Sequence, residues 1–397
     1  MTATLLIDRR MHDLGGGFVV GRVLPCRKRR MVGPFIFFDH LGPLDVAPGA
    51  PRELDVRPHP HIGLSTVTYL YSGAITHRDS LGSNQEIRPG EVNWMTAGSG
   101  ITHSERLEYA RAHGATMHGI QAWVALPREH EETAPEFHHH HGAGELPEFH
   151  EDGVAGRLIA GSIEGAAARV RTHSPLFYLH WDMADGARRA LGTDYSERAV
   201  YVARGAVELD GHPLAEGRML VLQPGRAAQV RARGPATVML LGGEPVGERF
   251  ISWNFVSSSR DRLEQAREDW RAQRMKLPVG DDREFIPLPG RTDGPTPQQG
   301  NTRCRSSSKS SSAAPARAAS APRSHAGSTN SLAATAGSTP RWWTWPISTC
   351  LSTTSRCTPA CSSTRTTTPS AGAPAWPAPT PTPSSRPNTT TARRPRW

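Results

Sequence analysis

Residues 57–69, RPHPHIGLSTVTY, place two histidines two positions apart and then continue into a run rich in β-branched residues. Runs of this composition are typical of β-strands. Side chains at positions i and i+2 of a strand point to the same face. His59 and His61 are therefore predicted to project together, about 6.6 Å apart at a rise of about 3.3 Å per residue.

A second segment repeats this spacing. Residues 96–105, TAGSGITHSE, end with His103 and Glu105, again two positions apart. If the two segments face each other inside one barrel, three imidazoles and one carboxylate converge. Imidazole suits Fe, Cu, Ni and Zn, and a carboxylate adds negative charge for a divalent metal. We therefore predict that His59, His61, His103 and Glu105 bind one metal and leave a position open for a substrate or O2.

The surrounding sequence predicts an all-β fold. From residue 15 to about 126, short apolar runs are separated by Gly and Pro, and a similar series extends from about 154 to 256. Runs of this length, broken by turn residues, indicate many short strands. The likeness of the two series suggests two barrels in tandem. No helix with start and stop signals is evident in the first series.

One helix is predicted after the second series. Ser258 or Ser259 can cap its N-terminus, since a serine hydroxyl accepts a hydrogen bond from a free N–H of the first turn. Leu263, Ala266 and Trp270 follow at helical spacing and form one apolar stripe. This stripe is expected to pack against a barrel.

We predict four regions: an N-terminal barrel with the metal site at 1–130, a linker at 131–152, a metal-free C-terminal barrel with the terminal helix at 153–290, and a tail at 291–397. The linker is predicted from its polar composition, its Pro and Gly content and its lack of strand periodicity. It contains four consecutive histidines at 138–141. We interpret these as part of a flexible loop, where ligand clusters are rarely preorganised.

The composition of the tail differs from the rest of the chain. Ser, Thr, Ala, Pro and Arg occupy 82 of the 107 positions in 291–397. Such a segment cannot bury enough apolar surface to offset the entropy of ordering it, so it is predicted to be disordered. GC-rich codons read out of frame give the same mixture. We hypothesise that the tail is a frameshifted or read-through extension.

Charge and cysteine content exclude several classes of protein. The chain has a net charge of +9, but outside the tail 33 basic residues face 36 acidic ones, which argues against direct nucleic-acid binding. Only Cys26 precedes the tail, so no disulfide framework is expected. No signal-peptide core or apolar run of about 20 residues is evident. We expect a cytoplasmic protein without a membrane segment.

Several separated motifs resemble those of the pirin family, which belongs to the cupin superfamily. RPHPHIGLSTVTYLYSG at 57–73 and HRDSLGSNQEIRPGEVNWMTAGSGITHSE at 77–105 are similar to its two metal-binding motifs. WNFVSSS at 253–259 and GDDREFIPLP at 280–289 are similar to its C-terminal segments. These motifs occur in the family's order, and the resemblance extends from about residue 5 to 290.

The resemblance implies a bicupin, in which two β-barrels lie face to face and the N-terminal barrel holds one mononuclear metal. The family's three-histidine, one-glutamate ligand set maps onto His59, His61, His103 and Glu105. Iron is the usual metal, with Cu, Ni, Mn and Zn as alternatives. One departure is Ser65, which stands where several relatives carry Glu and so alters the surroundings of the metal.

Some bacterial members of the family resemble quercetinases. The resemblance therefore implies a metal-dependent dioxygenase that opens a flavonol ring with O2. We hypothesise that Glu105, besides being a metal ligand, is the catalytic base that accepts the proton of the flavonol hydroxyl. One alternative is a non-catalytic iron-binding regulatory or redox-sensing protein that acts through protein partners, since animal members are linked to transcriptional regulation. Another is an oxygen-independent cupin enzyme such as an isomerase. We expect a monomer.

Overall fold

The computed structural model describes residues 3–14 and 17–289 of the 397-residue chain. Antiparallel β-strands make up most of the regular structure, which confirms the all-β prediction. Within these residues, no helix is both long enough and apolar enough to cross a membrane. The predicted tail at 291–397, and the hypothesis about its origin, lie outside the described residues.

The elements of the first half are β1 (Ala3–Asp8), β2 (Arg10–Asp13), β3 (Val19–Leu24), β4 (Phe35–Val46), β5 (Val56–His61), β6 (Leu64–Ser72), β7 (Ile75–Asp79), β8 (Asn84–Ile87), β9 (Val92–Thr96), β10 (Ile101–Arg106), α1 (Glu108–His113), β11 (Ala115–Ala125), β12 (Glu136–His140) and α2 (Gly142–Glu145). Those of the second half are β13 (Glu148–Glu151), β14 (Val154–Ile163), β15 (Ala166–Ala167), β16 (Leu176–Met183), β17 (Arg188–Leu191), β18 (Glu197–Arg204), β19 (Ala206–Leu209), β20 (His212–Ala215), β21 (Arg218–Leu222), β22 (Ala228–Ala232), β23 (Ala236–Gly243), β24 (Phe250–Ser252), β25 (Phe255–Ser257) and α3 (Arg260–Arg271).

The strands of the described residues form two barrels, each of two sheets. The first combines a seven-stranded sheet of order β12-β9-β6-β11-β4-β3-β2 with a four-stranded sheet of order β5-β10-β7-β8. The second combines a large sheet of order β1-β21-β18-β23-β16-β14-β13, to which β15 is attached, with a four-stranded sheet of order β17-β22-β19-β20. The prediction of two tandem barrels is confirmed.

The two large sheets pack against each other through one shared apolar core. Two aromatic pairs cross this interface. Phe35 lies 5.4 Å from Tyr178, and Phe38 lies 5.0 Å from Tyr201, between ring centroids. Both distances fall in the favourable range for aromatic pairs. The barrels are therefore joined by a buried hydrophobic layer and not only by the chain between them.

The first strand lies in the sheet of the opposite barrel. β1 pairs with β21, with Ile7 opposite Met219 and Leu6 opposite Leu220. Ile7 is buried in the shared core. The sequence prediction included this strand in the N-terminal barrel, because an apolar run predicts a strand but does not specify its partner.

The segment 131–152 also differs from its prediction. It contains β12, which pairs with β9 of the first barrel, and β13, which pairs with β14 of the second. These two strands were not predicted, because the segment was interpreted as a linker without strand periodicity. Polar histidines occupy both faces of β12, which is an edge strand, so its two-residue period is not visible as an alternation of apolar and polar residues.

The predicted C-terminal helix is confirmed as α3. The Ser259 side chain accepts a hydrogen bond of 3.3 Å from the backbone N–H three residues on, as an N-cap does. Leu263, Ala266 and Trp270 are buried and pack with Ile62, which lies just after β5. The helix therefore lies against the first barrel, although it follows the second barrel in the chain.

The short helix α1 was not predicted. Its N-cap residue, Leu107, makes no side-chain capping bond. Instead, its backbone N–H donates a hydrogen bond of 2.9 Å to Asp55, more than fifty residues away. Because this contact is tertiary, the local sequence contains no start signal for the helix.

Candidate metal centre

The structure brings the three predicted histidines together. His59 and His61 lie on β5 and His103 on β10, with His103 directly opposite His59 in the antiparallel ladder. The ring centroid of His103 lies 4.3 Å from that of His59 and 5.1 Å from that of His61. All three side chains are buried, and one nitrogen of each lies within 4.8 Å of the others.

Prolines help to fix the position of the strand that carries two of these histidines. Pro58 and Pro60 alternate with His59 and His61, and proline cannot donate a hydrogen bond to a neighbouring strand. β5 is accordingly the edge strand of its sheet. On its outer side, the backbone N–H of Ile286 donates to the carbonyl of Pro58 at 2.8 Å, so the C-terminal segment covers this edge.

Backbone carbonyls determine the tautomers of the two histidines on β5. His59 Nδ1 lies 2.9 Å from the carbonyl oxygen of Arg57, and His61 Nδ1 lies 3.0 Å from that of Asn254. A carbonyl oxygen can only accept, so each Nδ1 carries the proton. The lone pair of each imidazole is therefore on Nε2, where a metal can bind it.

A third histidine orients His103. His77 Nε2 donates to the buried carboxylate of Asp79 at 3.0 Å, which leaves His77 Nδ1 as an acceptor. His103 Nδ1 lies 3.3 Å from that atom and donates to it. His103 Nε2 is buried and has no hydrogen-bond partner. This chain of bonds places a lone pair on the same nitrogen as in the other two histidines.

These residues fit a metal ion. Burial lowers the pKa of His59 to about 4 and lowers the pKa values of His61 and His103 well below their usual value. The three imidazoles are therefore neutral at neutral pH, as metal binding requires. A buried nitrogen without a partner costs free energy, and a metal bond to His103 Nε2 removes that cost.

Glu105 occupies a different position from the histidines. In the part of the chain that the structure describes, the group of ligand atoms within 4.8 Å contains the three histidines and not this carboxylate. Its Oε1 lies 3.2 Å from Gln121 Nε2 and 3.4 Å from Thr68 Oγ1, both on the facing sheet. Burial raises the pKa of Glu105 to about 7, although both hydrogen bonds lower it.

A β-bulge contributes to this placement. His103 pairs with His59, but Glu105 pairs with Val56, so β5 contains one extra residue between the two pairs. A bulge disrupts the regular ladder and bends the strand that contains it. The spacing of His103 and Glu105 in the sequence gives no sign of this irregularity in the neighbouring strand.

His59, His61 and Glu105 line one cavity of the first barrel. Its walls are largely apolar, and they include Phe18, Phe37, Leu41, Trp123, Trp253 and Ile286. Phe37 and Trp123 stack with 4.0 Å between ring centroids, and the rings of His61 and Trp123 meet edge to face with 5.0 Å between their centroids. Apolar walls with a few convergent polar groups are typical of small-molecule sites.

Sequence reasoning missed four residues of this site. His77 and Asp79 have the same i, i+2 spacing as the predicted ligands, and this signal was available. Gln121 and Asn254 had no such signal, because only the tertiary fold brings them to the site. Ser65, which departs from the family pattern, lies on β6 with its hydroxyl 3.1 Å from that of Thr96.

Comparison with known proteins identifies the family. Residues 17–124 match the Pirin family and residues 178–276 match the Pirin C-terminal cupin domain. A pirin-like protein of Caulobacter vibrioides is 60% identical over 285 residues, which are 72% of this chain and 99% of that protein. A Pseudomonas aeruginosa protein that is provisionally named a quercetin 2,3-dioxygenase is 39% identical over 66% of this chain and 82% of its own length.

A solved structure shows the same fold. The crystal structure of a quercetin 2,3-dioxygenase from Acinetobacter baumannii has a TM-score of 0.67 and 33% sequence identity to this chain. The similarity covers 74% of this chain and 97% of that one. The two barrels are therefore cupin domains, as the resemblance implied. The buried histidine group within a cupin fold indicates a metal site. Together, these matches establish that the chain belongs to the pirin family.

Proposed function

We propose that this protein is a metal-dependent dioxygenase that opens the ring of a flavonol with O2. The observation that carries the proposal is the convergence of three neutral imidazoles beside an apolar, aromatic-walled cavity. The relatives named as quercetin 2,3-dioxygenases support the same class of reaction. We propose His59, His61 and His103 as the metal ligands and iron as the metal.

A bound metal would supply Lewis acidity and an open position for the reacting groups. The chain's own residues bind and orient the substrate. The stacked pair of Phe37 and Trp123 offers a flat apolar surface beside His61, which suits a planar aromatic molecule. The surrounding walls are largely apolar, and electrostatic interactions are stronger in surroundings of low polarity than in water.

Glu105 is proposed as the catalytic base. Its carboxylate lines the cavity, and burial raises its pKa to about 7. A base is most effective when its pKa lies near the working pH. Glu105 would accept the proton of the flavonol hydroxyl, while the hydrogen bond from Gln121 holds the carboxylate in place. Its further role as a fourth metal ligand stays a prediction.

One observation favours a second candidate function. The Glu105 carboxylate is bonded to the facing sheet and lies outside the histidine group. A site with three histidine ligands can hold iron without turning over a substrate. The alternative is therefore an iron-binding regulatory protein that acts through a protein partner.

The deciding experiment measures O2 consumption by iron-loaded protein with quercetin, together with ring opening followed by absorbance. The dioxygenase proposal expects both signals in air and neither under anaerobic conditions. Turnover that continues without O2 would favour an isomerase-type reaction. Iron-loaded protein that consumes no O2 with any flavonol would favour the regulatory alternative.

The orienting role of His77 leads to a separate prediction. His77→Ala removes the acceptor for His103 Nδ1, so the ring of His103 can rotate away from the metal. We expect iron affinity to fall by about 10–100-fold, the usual cost of losing a residue that supports a ligand. Competition with a chelator measures the affinity, and His113→Ala, an exposed histidine on α1, is the control. Equal affinity in the His77 and His113 variants would contradict the role.

A further inference from the structure

A second group of metal-binding side chains lies outside the cavity. Glu91 directly precedes β9, His139 lies on β12, and His141 follows β12 in an extended conformation. One ligand atom from each of the three lies within 4.8 Å of the others. Because side chains alternate along extended chain, His139 and His141 point to one face of the edge strand and His138 and His140 to the other.

The side chains of this group are held in place by neighbouring atoms. His139 lies opposite Asn93 in the ladder, and its Nδ1 donates to Asn93 Oδ1 at 2.8 Å. This bond leaves the lone pair of His139 on Nε2, which faces Glu91 and His141. The backbone N–H of Arg88 donates to Glu91 Oε2 at 2.7 Å and fixes the carboxylate. The His139 side chain is only 10% exposed.

The distances between the ligand atoms indicate the coordination geometry. His139 Nε2 lies 3.4 Å from His141 Nδ1, and His141 Nδ1 lies 3.3 Å from Glu91 Oε1. His139 Nε2 lies 3.7 Å from the other oxygen of Glu91. Metal–ligand bonds of about 2.0–2.1 Å separate neighbouring ligand atoms by about 3.3–3.4 Å at tetrahedral angles and about 2.9 Å at octahedral angles. The two separations at His141 Nδ1 match the tetrahedral value, and the separation of 3.7 Å between His139 Nε2 and the other oxygen of Glu91 is somewhat longer.

The charge around the group also suits a cation. Glu145 accepts a hydrogen bond of 3.0 Å from the backbone N–H of His141, which adds a second carboxylate beside Glu91. The side chain of His141 is 63% exposed, so the group can be reached from solvent. Two imidazoles and one carboxylate in a tetrahedral arrangement, with the fourth position open, are typical of Zn²⁺.

We infer that Glu91, His139 and His141 form a second divalent-metal site, suited to zinc, that is separate from the three-histidine centre. The site ties β12 to the first barrel just before α2 and β13 lead into the second barrel. A metal there would fasten the segment that joins the two barrels. The four histidines at 138–141 thus contain a preorganised pair and are not the flexible cluster that the sequence suggested.

The test is a titration of the full-length protein with Zn²⁺ in competition with a chelator. We expect His139→Ala/His141→Ala to bind one zinc fewer per chain than the wild type. The zinc affinity of this site should fall by more than the roughly 100-fold that removal of a residue supporting a ligand costs, because two ligands are lost. His138→Ala, on the opposite face of the same strand, is the matched control and should bind zinc as the wild type does. Cysteines also bind zinc, but the same cysteines are present in the wild type and in every variant, so their contribution to zinc binding does not affect the comparison.

Two further measurements separate this site from the first and from a folding defect. Glu91→Gln preserves the shape of the side chain and should also weaken zinc binding, while circular dichroism reports an unchanged fold. Co²⁺ should give the intense visible absorption of a tetrahedral site in His59→Ala/His103→Ala, in which the three-histidine centre is removed. This signal should be absent when His139→Ala/His141→Ala is added to that variant. Identical zinc stoichiometry and affinity in wild type and His139→Ala/His141→Ala would overturn the inference.

Discussion

Replacing His59 and His103 together by alanine should reduce bound iron from about one per chain to almost none. Each residue supplies a buried, neutral nitrogen whose tautomer is set by a specific acceptor, so no other side chain can take its place. Each single replacement at His59, His61 or His103 should also remove most of the iron. The fold should persist, because the aromatic core between the barrels does not depend on these side chains.

Iron content is measured on protein loaded under anaerobic conditions and then dialysed against a weak chelator. His139→Ala/His141→Ala is the matched control, since it removes two histidines of the same barrel and should retain its iron. To exclude iron at that second group, the double replacement is repeated in the His139→Ala/His141→Ala background. One tightly bound iron per chain in the combined variant would refute the assignment of the site.

Glu105→Gln should lower kcat by about 10²–10⁴-fold even when the metal site is full, the usual loss when a general base is removed. The substitution preserves the shape of the side chain but removes its charge and its ability to accept a proton. If Glu105 were only a ligand, activity should recover when metal is supplied in excess. The measurement is kcat for quercetin at increasing iron concentration, with iron occupancy determined on the same samples.

The matched control is Glu108→Gln, which changes an exposed carboxylate three residues away that pairs with Arg78 at 2.9 Å. It should leave kcat unchanged. Full activity of iron-saturated Glu105→Gln would refute the role of Glu105 as the catalytic base. A loss of activity that tracks iron occupancy alone would leave Glu105 with the role of a ligand.

The sequence predicted the parts of this molecule that depend on local periodicity. The grouping of His59 with His61, and the apolar stripe of α3, follow from spacings of two residues in a strand and three or four in a helix. Such spacings predict which side chains share a face, because the backbone geometry of a strand or a helix determines it. The two-barrel architecture followed from the repetition of short strands between turn residues.

The remaining features depend on contacts between distant parts of the chain. The partner of β1, the acceptor for His61 and the capping contact of Leu107 each join residues that are far apart in sequence. β12 was missed for another reason: an edge strand with histidines on both faces lacks the apolar alternation by which strands are identified.

β1 lies in the sheet of the opposite barrel, and this has a consequence for the time at which its contacts can form during synthesis of the chain. Asp8 leaves the ribosome about 210 residues before its partner Arg218, and Asn254, whose carbonyl orients His61, follows His61 by 193 residues. At about 5–20 residues per second, each interval lasts roughly 10–40 s. During this time the strands of the first barrel have been made, but the carbonyl of Asn254 is not yet present to accept the hydrogen bond from His61. A chain that stalls before Asn254 would have all three histidines but no acceptor to orient His61, so the proposed metal site is complete only in a chain that has been translated past β23, the last strand of the second barrel.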